Sequence, residues 1–247
     1  MIRTALSPLG CLDVAIDAPP VNAFSTVLLR ELTEILRNVP GEARVVVLRA
    51  RGRGFSAGGD IKEMETLLGH QGIIRQIRDG LDACVAVEEC SVPVIAAVHG
   101  YVIGIGALIV GVCDVIVAAE GTRFVLAEID NGAASGAVQA VGLLPEKRVR
   151  VAMLTGAPVF AEEMLNHGSV QAVVPADQLL TKANELADVI CAKSPAVVRA
   201  MKESFARTFD HGLVAKYRAE ASYTYELHLS GYAKEARASW WVSDAKQ

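Results

Sequence analysis

The sequence of 247 residues predicts an α/β fold that continues into an α-helical C-terminal region. Up to residue 193, short apolar runs typical of buried parallel strands alternate with amphipathic stretches typical of helices. From residue 194 onward the strand signals cease, and almost every segment has helical periodicity. Hydrophobic residues make up 52% of the chain, which is enough for a sizeable core and excludes intrinsic disorder. We therefore expect an α/β core over residues 1–193 and a helical region over residues 194–247.

The individual strands and helices follow from local signals. Apolar and polar residues alternate over Cys11–Ile16, which predicts a strand. Ser25 is a suitable N-cap for an amphipathic helix over 27–37, because its hydroxyl can accept a free N–H of the first turn. Apolar runs predict further strands at 44–50, 92–98, 114–118, 124–128 and 170–174. Helical periodicity predicts helices at 61–68, 72–90, 104–111, 138–144, 147–154, 160–167, 177–193, 196–209, 213–229 and 232–241.

The stretch 92–113 contains no Asp, Glu, Lys or Arg and is long enough to span a membrane. Pro93 and several glycines interrupt it, however, and both of its ends have the continuous apolar character of buried strands. A strand, a glycine turn, a short buried helix and a second strand explain the stretch better. We therefore expect no association with a membrane.

The composition argues against nucleic-acid, disulfide and metal chemistry. The net charge is -4 and aromatic residues make up 5% of the chain, so neither a basic surface nor a base-stacking platform is indicated. The 5 cysteines are odd in number and lack a C-x-x-C spacing, and the histidines lack the spacing of metal ligands. We expect no bound metal and a reducing, cytoplasmic location, since the first residues also lack the apolar core of a signal peptide.

Two glycine-rich loops, at 52–60 and 99–106, each lie where a buried strand leads into a helix. Glycines at such places let a ligand approach the backbone closely, and the first helical turn presents free N–H groups. Neither loop has the spacing of a P-loop or a dinucleotide-binding motif, and no G-x-S-x-G nucleophile motif occurs. Two converging amides can instead hold a negative oxygen. The loops therefore indicate chemistry next to a carbonyl, with a carboxylate that moves a proton.

Four motifs, in order along nearly the whole chain, resemble those of the enoyl-CoA hydratase/isomerase (crotonase) superfamily. They are PVNA at 20–23, FSAGGDIKEM at 55–64, VPVIAAVHG at 92–100 with Cys113 and Asp114, and FVLAE at 124–128 followed by Gly132. The resemblance implies a core of repeated ββα units arranged as a spiral and a C-terminal helical region that forms a homotrimer, or a hexamer of two trimers. It also implies an acyl-CoA thioester as substrate, with coenzyme A as part of that substrate and no separate cofactor.

The resemblance implies roles for single residues as well. The two oxyanion amides would belong to Ala57 and Ile105, and Glu128 would be the catalytic carboxylate. For Asp60, the residue type and position favour an N-cap of the following helix over an acid catalyst. The residues expected to contact the acyl-CoA are Ala23, Gly58, Gly59, Asp60, Ile61, Leu108 and Gly136.

One of the two glutamates that hydratases of this superfamily use is missing. Its position falls at Leu108, and no Asp or Glu lies between Gly100 and Val112, whereas the second glutamate is present as Glu128. Hydration needs an oriented water and a delivered proton, which one carboxylate provides only with help. Moving a proton between two carbons needs a single base, as in some isomerases of the superfamily. Residues 130 and 131 offer a second polar group, although Asp and Asn are more typical of a turn there.

Three functions are compatible with these residues. The first is a hydratase or isomerase that stabilises an enolate in an oxyanion hole and uses Glu128 as its acid and base. The second is a hydrolase that opens a ring of a bulky β-keto acyl-CoA, because 217–218, 225–227 and 167–170 resemble a mycobacterial branch with that activity in steroid degradation. The third is an inactive homologue that only binds acyl-CoA. Residues that recur on one helical face near the C-terminus, and that we expect to pack between subunits, are Tyr223, Tyr225 and His228.

Overall fold

The computed structural model describes residues 1–66, 70–209 and 212–244. Its strands are β1 (Ile2–Leu6), β2 (Cys11–Ile16), β3 (Val45–Ala50), β4 (Val94–Val98), β5 (Tyr101–Ile103), β6 (Val115–Ala119), β7 (Arg123–Val125), β8 (Val159–Phe160) and β9 (Ala172–Val174). Within the described ranges, the main sheet has the order β1-β2-β3-β4-β6-β9 and a smaller sheet has the order β5-β7-β8. In the main sheet only β1 is antiparallel to its neighbour.

The helices are α1 (Thr26–Arg37), α2 (Ile61–Thr66), α3 (Gln71–Glu88), α4 (Ile105–Gly111), α5 (Ala137–Ala140), α6 (Glu146–Thr155), α7 (Ala161–His167), α8 (Leu179–Cys191), α9 (Pro195–Thr208), α10 (Leu213–Leu229) and α11 (Tyr232–Asp244), with a 3₁₀ turn at Ala176–Gln178. Ser25 caps α1 as predicted, and its hydroxyl accepts the Leu28 N–H at 3.2 Å. Strands alternating with helices, then helices alone, confirm the predicted α/β class.

The main sheet is buried on both faces. Val46 and Leu48 of β3 belong to the larger core cluster, together with residues of α1 and α3. Val45 and Val47 belong to a second cluster, which α8 covers. Successive side chains of a strand point to opposite faces, so a strand that serves two cores must be apolar throughout. This explains why the central strands are visible in the sequence as continuous apolar runs.

Three strands are missing from the sequence prediction. β1 is an edge strand with mostly exposed side chains, so it has no apolar run. β5 and β8 contain 3 and 2 residues, which is too short to show a periodicity. The strand predicted at 124–128 ends as β7 at Val125, and residues 127–130 form a turn instead. Glu128 therefore lies in a turn and not in a strand.

The C-terminal helices pack back onto the core. Helix α10 packs against α3 and α5, and its Leu213, Tyr217 and Ala221 belong to the larger core cluster. Helix α9 borders an apolar groove of about 880 Å³ that Val197 and Phe205 help to line. The boundary at residue 193 and the homotrimer stay predictions. In the part of the chain that the structure describes, no helix is long and apolar enough to cross a membrane.

Candidate active site

The first glycine-rich loop is held in place by the segment that precedes α1. The side-chain amide of Asn22 donates to the carbonyls of Arg51 at 2.6 Å and Gly54 at 2.9 Å. The buried Ser56 hydroxyl donates to the Asn22 carbonyl at 2.7 Å and accepts the Gly58 N–H at 3.1 Å. These buried polar groups satisfy one another, and the loop is therefore fixed in shape.

The two glycine-rich loops are in direct contact. Ser56 N–H donates to the Tyr101 carbonyl at 3.1 Å, and Ile103 N–H donates to the Ser56 carbonyl at 2.9 Å. At the start of α4, a Cβ atom placed on Gly106 would lie 2.8 Å from Ser56 Cβ. Only glycine allows this approach. The first turn of α4 is thereby brought against the first loop.

The amides available to a ligand at this junction are those of Gly59 and Ile105. Phe24 donates to the Gly58 carbonyl at 2.7 Å and accepts the Asp60 N–H at 3.0 Å, so the intervening Gly59 N–H points away from Phe24. Ile105 is the first residue of α4, where N–H groups have no partner inside the helix. Among the described residues, neither N–H has an acceptor. Both residues line the same cavity.

The structure corrects the expectation for Ala57. Its N–H donates to the Val21 carbonyl at 3.1 Å and is therefore already in use. Between Ala57 and Gly59 the backbone turns at Gly58, which has a φ of +94°. A residue with a Cβ rarely adopts this conformation. The free N–H of the first loop therefore belongs to Gly59, one of the residues expected to contact the acyl-CoA.

Glu128 lies in the turn after β7 and is 8% exposed. The Glu128 carboxylate lies beside both loops. A Cβ atom placed on Gly104 of the second loop would lie 3.7 Å from Glu128 Oε1 and 3.8 Å from Cα of Gly58 in the first loop. Glu128 Oε2 is buried and has no hydrogen-bond partner among the described residues. Burial raises the pKa of Glu128 from 4.5 to about 7. A carboxyl group with this pKa can accept a proton and return it near neutral pH.

Apolar side chains occupy the wall where a second glutamate is expected in hydratases. Leu108 is 3% exposed, and a Cβ atom placed on Gly136 would lie 2.8 Å from Leu108 Cδ1. The Ile105 side chain reaches α3, where a Cβ atom placed on Gly80 would lie 3.0 Å from Ile105 Cδ1. This wall offers packing surface to a ligand and no acid.

A polar wall that sequence reasoning missed is formed by α10 and the loop after Glu128. Ala134 N–H donates to Thr224 Oγ1 at 3.0 Å, and the Thr224 hydroxyl donates to Ser135 Oγ at 3.3 Å. Tyr217, two helical turns before Thr224 on α10, lies beside the same cavity. All three hydroxyl side chains are buried and line the cavity. The available signal was the i, i+7 spacing of Tyr217 and Thr224, which places both on one face of α10.

One cavity of about 130 Å³ brings most of these groups together. Of the residues expected at the site, those that line it are Ala57, Gly58, Gly59, Ile61, Ile105, Leu108 and Glu128. Asp60 instead caps α2, as its position predicts, by accepting the Glu63 N–H at 3.0 Å. Gly136 lies behind Leu108 and donates to Glu220 at 2.7 Å. Contact of Ala23 and Asp60 with coenzyme A stays a prediction.

His228 also lines this cavity, and its expected packing between subunits stays a prediction. Its Nδ1 lies 2.9 Å from the Thr224 carbonyl oxygen, and its Nε2 lies 3.3 Å from Arg237 Nη1. Burial lowers the pKa of His228 below its ordinary value of 6.5. Tyr223, expected on the same face, is 61% exposed.

The two polar residues after Glu128 differ in position, and Asn131 lines the cavity. The Asn131 side chain donates to the Ala127 carbonyl at 3.0 Å and so closes the turn, as the preferred interpretation predicts. The Asp130 carboxylate lies beside Gly156, where an added Cβ would be 2.6 Å from Asp130 Oδ2, and Asp130 does not line the cavity. Within the described ranges, no three His, Cys, Asp or Glu side chains are grouped to hold a metal ion.

Known proteins match this chain over most of its length. A family model described as enoyl-CoA hydratase/isomerase matches residues 8–240. The "(7aS)-7a-methyl-1,5-dioxo-2,3,5,6,7,7a-hexahydro-1H-indene-carboxyl-CoA hydrolase" of Mycobacterium tuberculosis (strain ATCC 25618 / H37Rv) is 41% identical over 230 residues, or 92% of this chain and 93% of that protein. The protein of the same name from Rhodococcus jostii (strain RHA1) is 38% identical over 230 residues, or 92% and 89%.

A crystal structure of an enoyl-CoA hydratase/isomerase from Pseudoalteromonas atlantica T6c has the same fold. It superposes with a TM-score of 0.86 over 98% of this chain and 97% of that one, at 24% sequence identity. At this identity the likeness concerns the fold. It confirms the predicted crotonase-like architecture with C-terminal helices.

Proposed function

The chain belongs to the enoyl-CoA hydratase/isomerase family, and on that premise we propose that it hydrolyses a carbon–carbon bond in a cyclic β-oxo acyl-CoA. The observation that carries the proposal is a single buried carboxylate, Glu128, beside the free amides of Gly59 and Ile105. These two N–H groups are the donors for the thioester oxygen, and Glu128 is the acid and base.

The first step is the attack of water on the ring ketone. Glu128, as a carboxylate, takes one proton from the water, and the water oxygen forms a bond to the ketone carbon. The bond between that carbon and the α-carbon of the thioester then breaks, and its electron pair moves into the thioester as an enolate. Gly59 and Ile105 stabilise the enolate oxygen because their N–H groups are already oriented and need no reorganisation.

The second step returns the proton. Glu128, now a carboxylic acid, protonates the α-carbon and becomes a carboxylate again. The ring is opened, the former ketone carbon has become a carboxylic acid, and the thioester to coenzyme A is intact. One carboxyl group is sufficient, since it carries the same proton from water to carbon.

Two observations favour hydrolysis over hydration. Leu108 leaves the site without the second carboxylate that orients and protonates in hydratases of this family. The relatives that are 41% and 38% identical are both named as hydrolases of a dioxo-hexahydroindene carboxyl-CoA, which is a bicyclic thioester with two ketones. The apolar side chains of Leu108 and Ile105 suit such an acyl group.

Double-bond isomerisation is the second candidate. Isomerisation also needs only one base. Glu128 would act as this base by moving a proton between two carbons of an enoyl-CoA. An inactive acyl-CoA-binding protein is the third possibility, and it predicts binding without turnover.

A panel of acyl-CoAs separates these functions. The purified protein is incubated with crotonyl-CoA, a 3-enoyl-CoA and an oxocyclohexane carboxyl-CoA whose ketone is adjacent to the α-carbon. Ring opening adds the mass of one water to the third compound and releases no free thiol, which a thiol reagent verifies. Fast turnover of crotonyl-CoA, or isomerisation of the 3-enoyl-CoA with no ring opening, would contradict the proposal.

A further inference from the structure

The polar wall of the cavity contains more hydroxyl protons than it has acceptors for. The hydroxyl cluster comprises Ser135, Tyr217 and Thr224, and each member lines the cavity. Ala134 N–H donates to Thr224 Oγ1 at 3.0 Å. A hydroxyl can accept and donate at the same time, and the Thr224 hydroxyl donates to Ser135 Oγ, 3.3 Å away.

The contact between Thr224 and Ser135 is the hydrogen bond that joins members of the hydroxyl cluster, and it uses one hydroxyl proton. The Tyr217 hydroxyl forms no hydrogen bond with the described residues. Three hydroxyl protons therefore serve one contact within the hydroxyl cluster. The Tyr217 O–H is left without an acceptor among the described residues, and Tyr217 lines the cavity.

This donor is neutral and permanent. Burial, with the negative charge of Glu128 among the smaller causes, raises the pKa of Tyr217 well above its ordinary value of 10, so the phenol keeps its proton. Tyr217 and Glu128 line the same cavity. The cavity thus has two places for oxygen, namely the amide pair of Gly59 and Ile105, and the hydroxyl cluster.

We propose that the hydroxyl cluster of Ser135, Tyr217 and Thr224 binds a second carbonyl oxygen of the acyl group and so selects oxo-acyl-CoA thioesters over hydrocarbon acyl-CoAs. The inference rests on the proposed function and names the part of the site that recognises the ketone. A hydrocarbon chain would leave a buried O–H donor unpaired, and such sites discriminate strongly against ligands that lack the acceptor. During attack by water, the same donor faces the oxygen on which negative charge develops.

The test measures binding, so it does not depend on turnover. The Glu128→Gln variant is titrated calorimetrically with two thioesters, cyclohexane carboxyl-CoA and the oxocyclohexane carboxyl-CoA whose ketone is adjacent to the α-carbon. We expect Kd to be at least about tenfold lower for the oxo compound, the effect of roughly one hydrogen bond. Adding Tyr217→Phe and Ser135→Ala together should abolish this preference and leave the Kd for cyclohexane carboxyl-CoA unchanged.

Two further variants complete the design. Tyr217→Phe alone keeps the packing of the ring and should reduce the preference even if the double change prevents folding. Tyr223→Phe removes a hydroxyl from an exposed side chain of the same helix and should change neither Kd. The proposal is overturned if Glu128→Gln has no preference for the oxo compound, if the preference survives the double change, or if both thioesters lose affinity equally. A protein that prefers the oxo compound but never opens its ring contradicts only the proposed function.

Discussion

Glu220 of α10 accepts the N–H of Gly136 at 2.7 Å, across 84 positions of the chain. Its second carboxylate oxygen accepts the Val138 N–H at 3.1 Å, so one side chain caps the start of α5. Thr224, one turn further along α10, binds Ala134 in the same loop. The C-terminal region therefore holds the loop that begins with Glu128, and the site combines residues of the α/β core with residues of α10.

Replacing Glu220 should loosen this loop. In Glu220→Ala, the N–H groups of Gly136 and Val138 lose their acceptor, and each buried unpaired donor costs about 1–3 kcal/mol. We expect the free energy of unfolding in urea to fall by at least about 1 kcal/mol and kcat to fall with it. Glu226→Ala, an exposed glutamate of the same helix, is the matched control and should leave both quantities unchanged. Equal behaviour of the two variants would show that Glu220 does not hold the loop.

Removing the carboxylate of Glu128 should abolish chemistry and spare binding. Glu128→Gln keeps the size of the side chain but cannot carry a proton, so turnover of the oxo thioester should fall by about 10²–10⁴-fold. The Kd for that thioester should change little. Asp130→Asn alters a nearby acid that does not line the cavity and should retain the parent activity. Parent rates in Glu128→Gln would remove this residue from the mechanism.

The raised pKa of Glu128 predicts a pH profile. A base must be deprotonated to act, so kcat/KM should be constant well above pH 7 and fall about tenfold per pH unit below the pKa of about 7. His228 lies in the same cavity with a pKa below 6.5, so a second change is expected only at lower pH. Steady-state rates between pH 5 and 9 measure the profile. An inflection near the ordinary glutamate value of 4.5 would mean that the folded enzyme does not bury this carboxyl.

Gly106 controls the distance between the two loops. In Gly106→Ala the new Cβ would lie 2.8 Å from Ser56 Cβ, so α4 and the first loop must separate. Overpacking of this kind costs about 1–3 kcal/mol, and it should also lower kcat because the amides of Gly59 and Ile105 move apart. Gly41→Ala has no atom within 4 Å of the added Cβ and serves as control. Full activity in Gly106→Ala would mean that the spacing of the loops is not critical.

Two kinds of feature could be predicted from the sequence: local ones such as helix caps, and strands whose two faces are both buried. The Ser25 cap needs only its own helix, and β3 is visible because its side chains fill two cores. Glu128 could be identified because its motif resembles that of a known family. The edge strand β1 has mostly exposed side chains, so its sequence contains no apolar run that predicts a strand.

Features that depend on contacts between distant residues could not be predicted. Whether Ala57 or Gly59 offers a free N–H depends on Val21 and Phe24, which pair with the loop only after folding. Ser135 and Thr224 are 89 positions apart, and neither residue type indicates a site by itself. Their role follows from a count of donors and acceptors that requires all atoms to be in place.

In the proposed mechanism, two amides hold the enolate oxygen while one acid faces the α-carbon. The most direct measurement is a crystal structure of Glu128→Gln with the oxocyclohexane carboxyl-CoA bound. We predict the thioester oxygen about 2.7–3.1 Å from both Gly59 N and Ile105 N, with the α-carbon next to the side chain of residue 128. A thioester oxygen bound away from this amide pair, or an α-carbon out of reach of residue 128, would contradict the account.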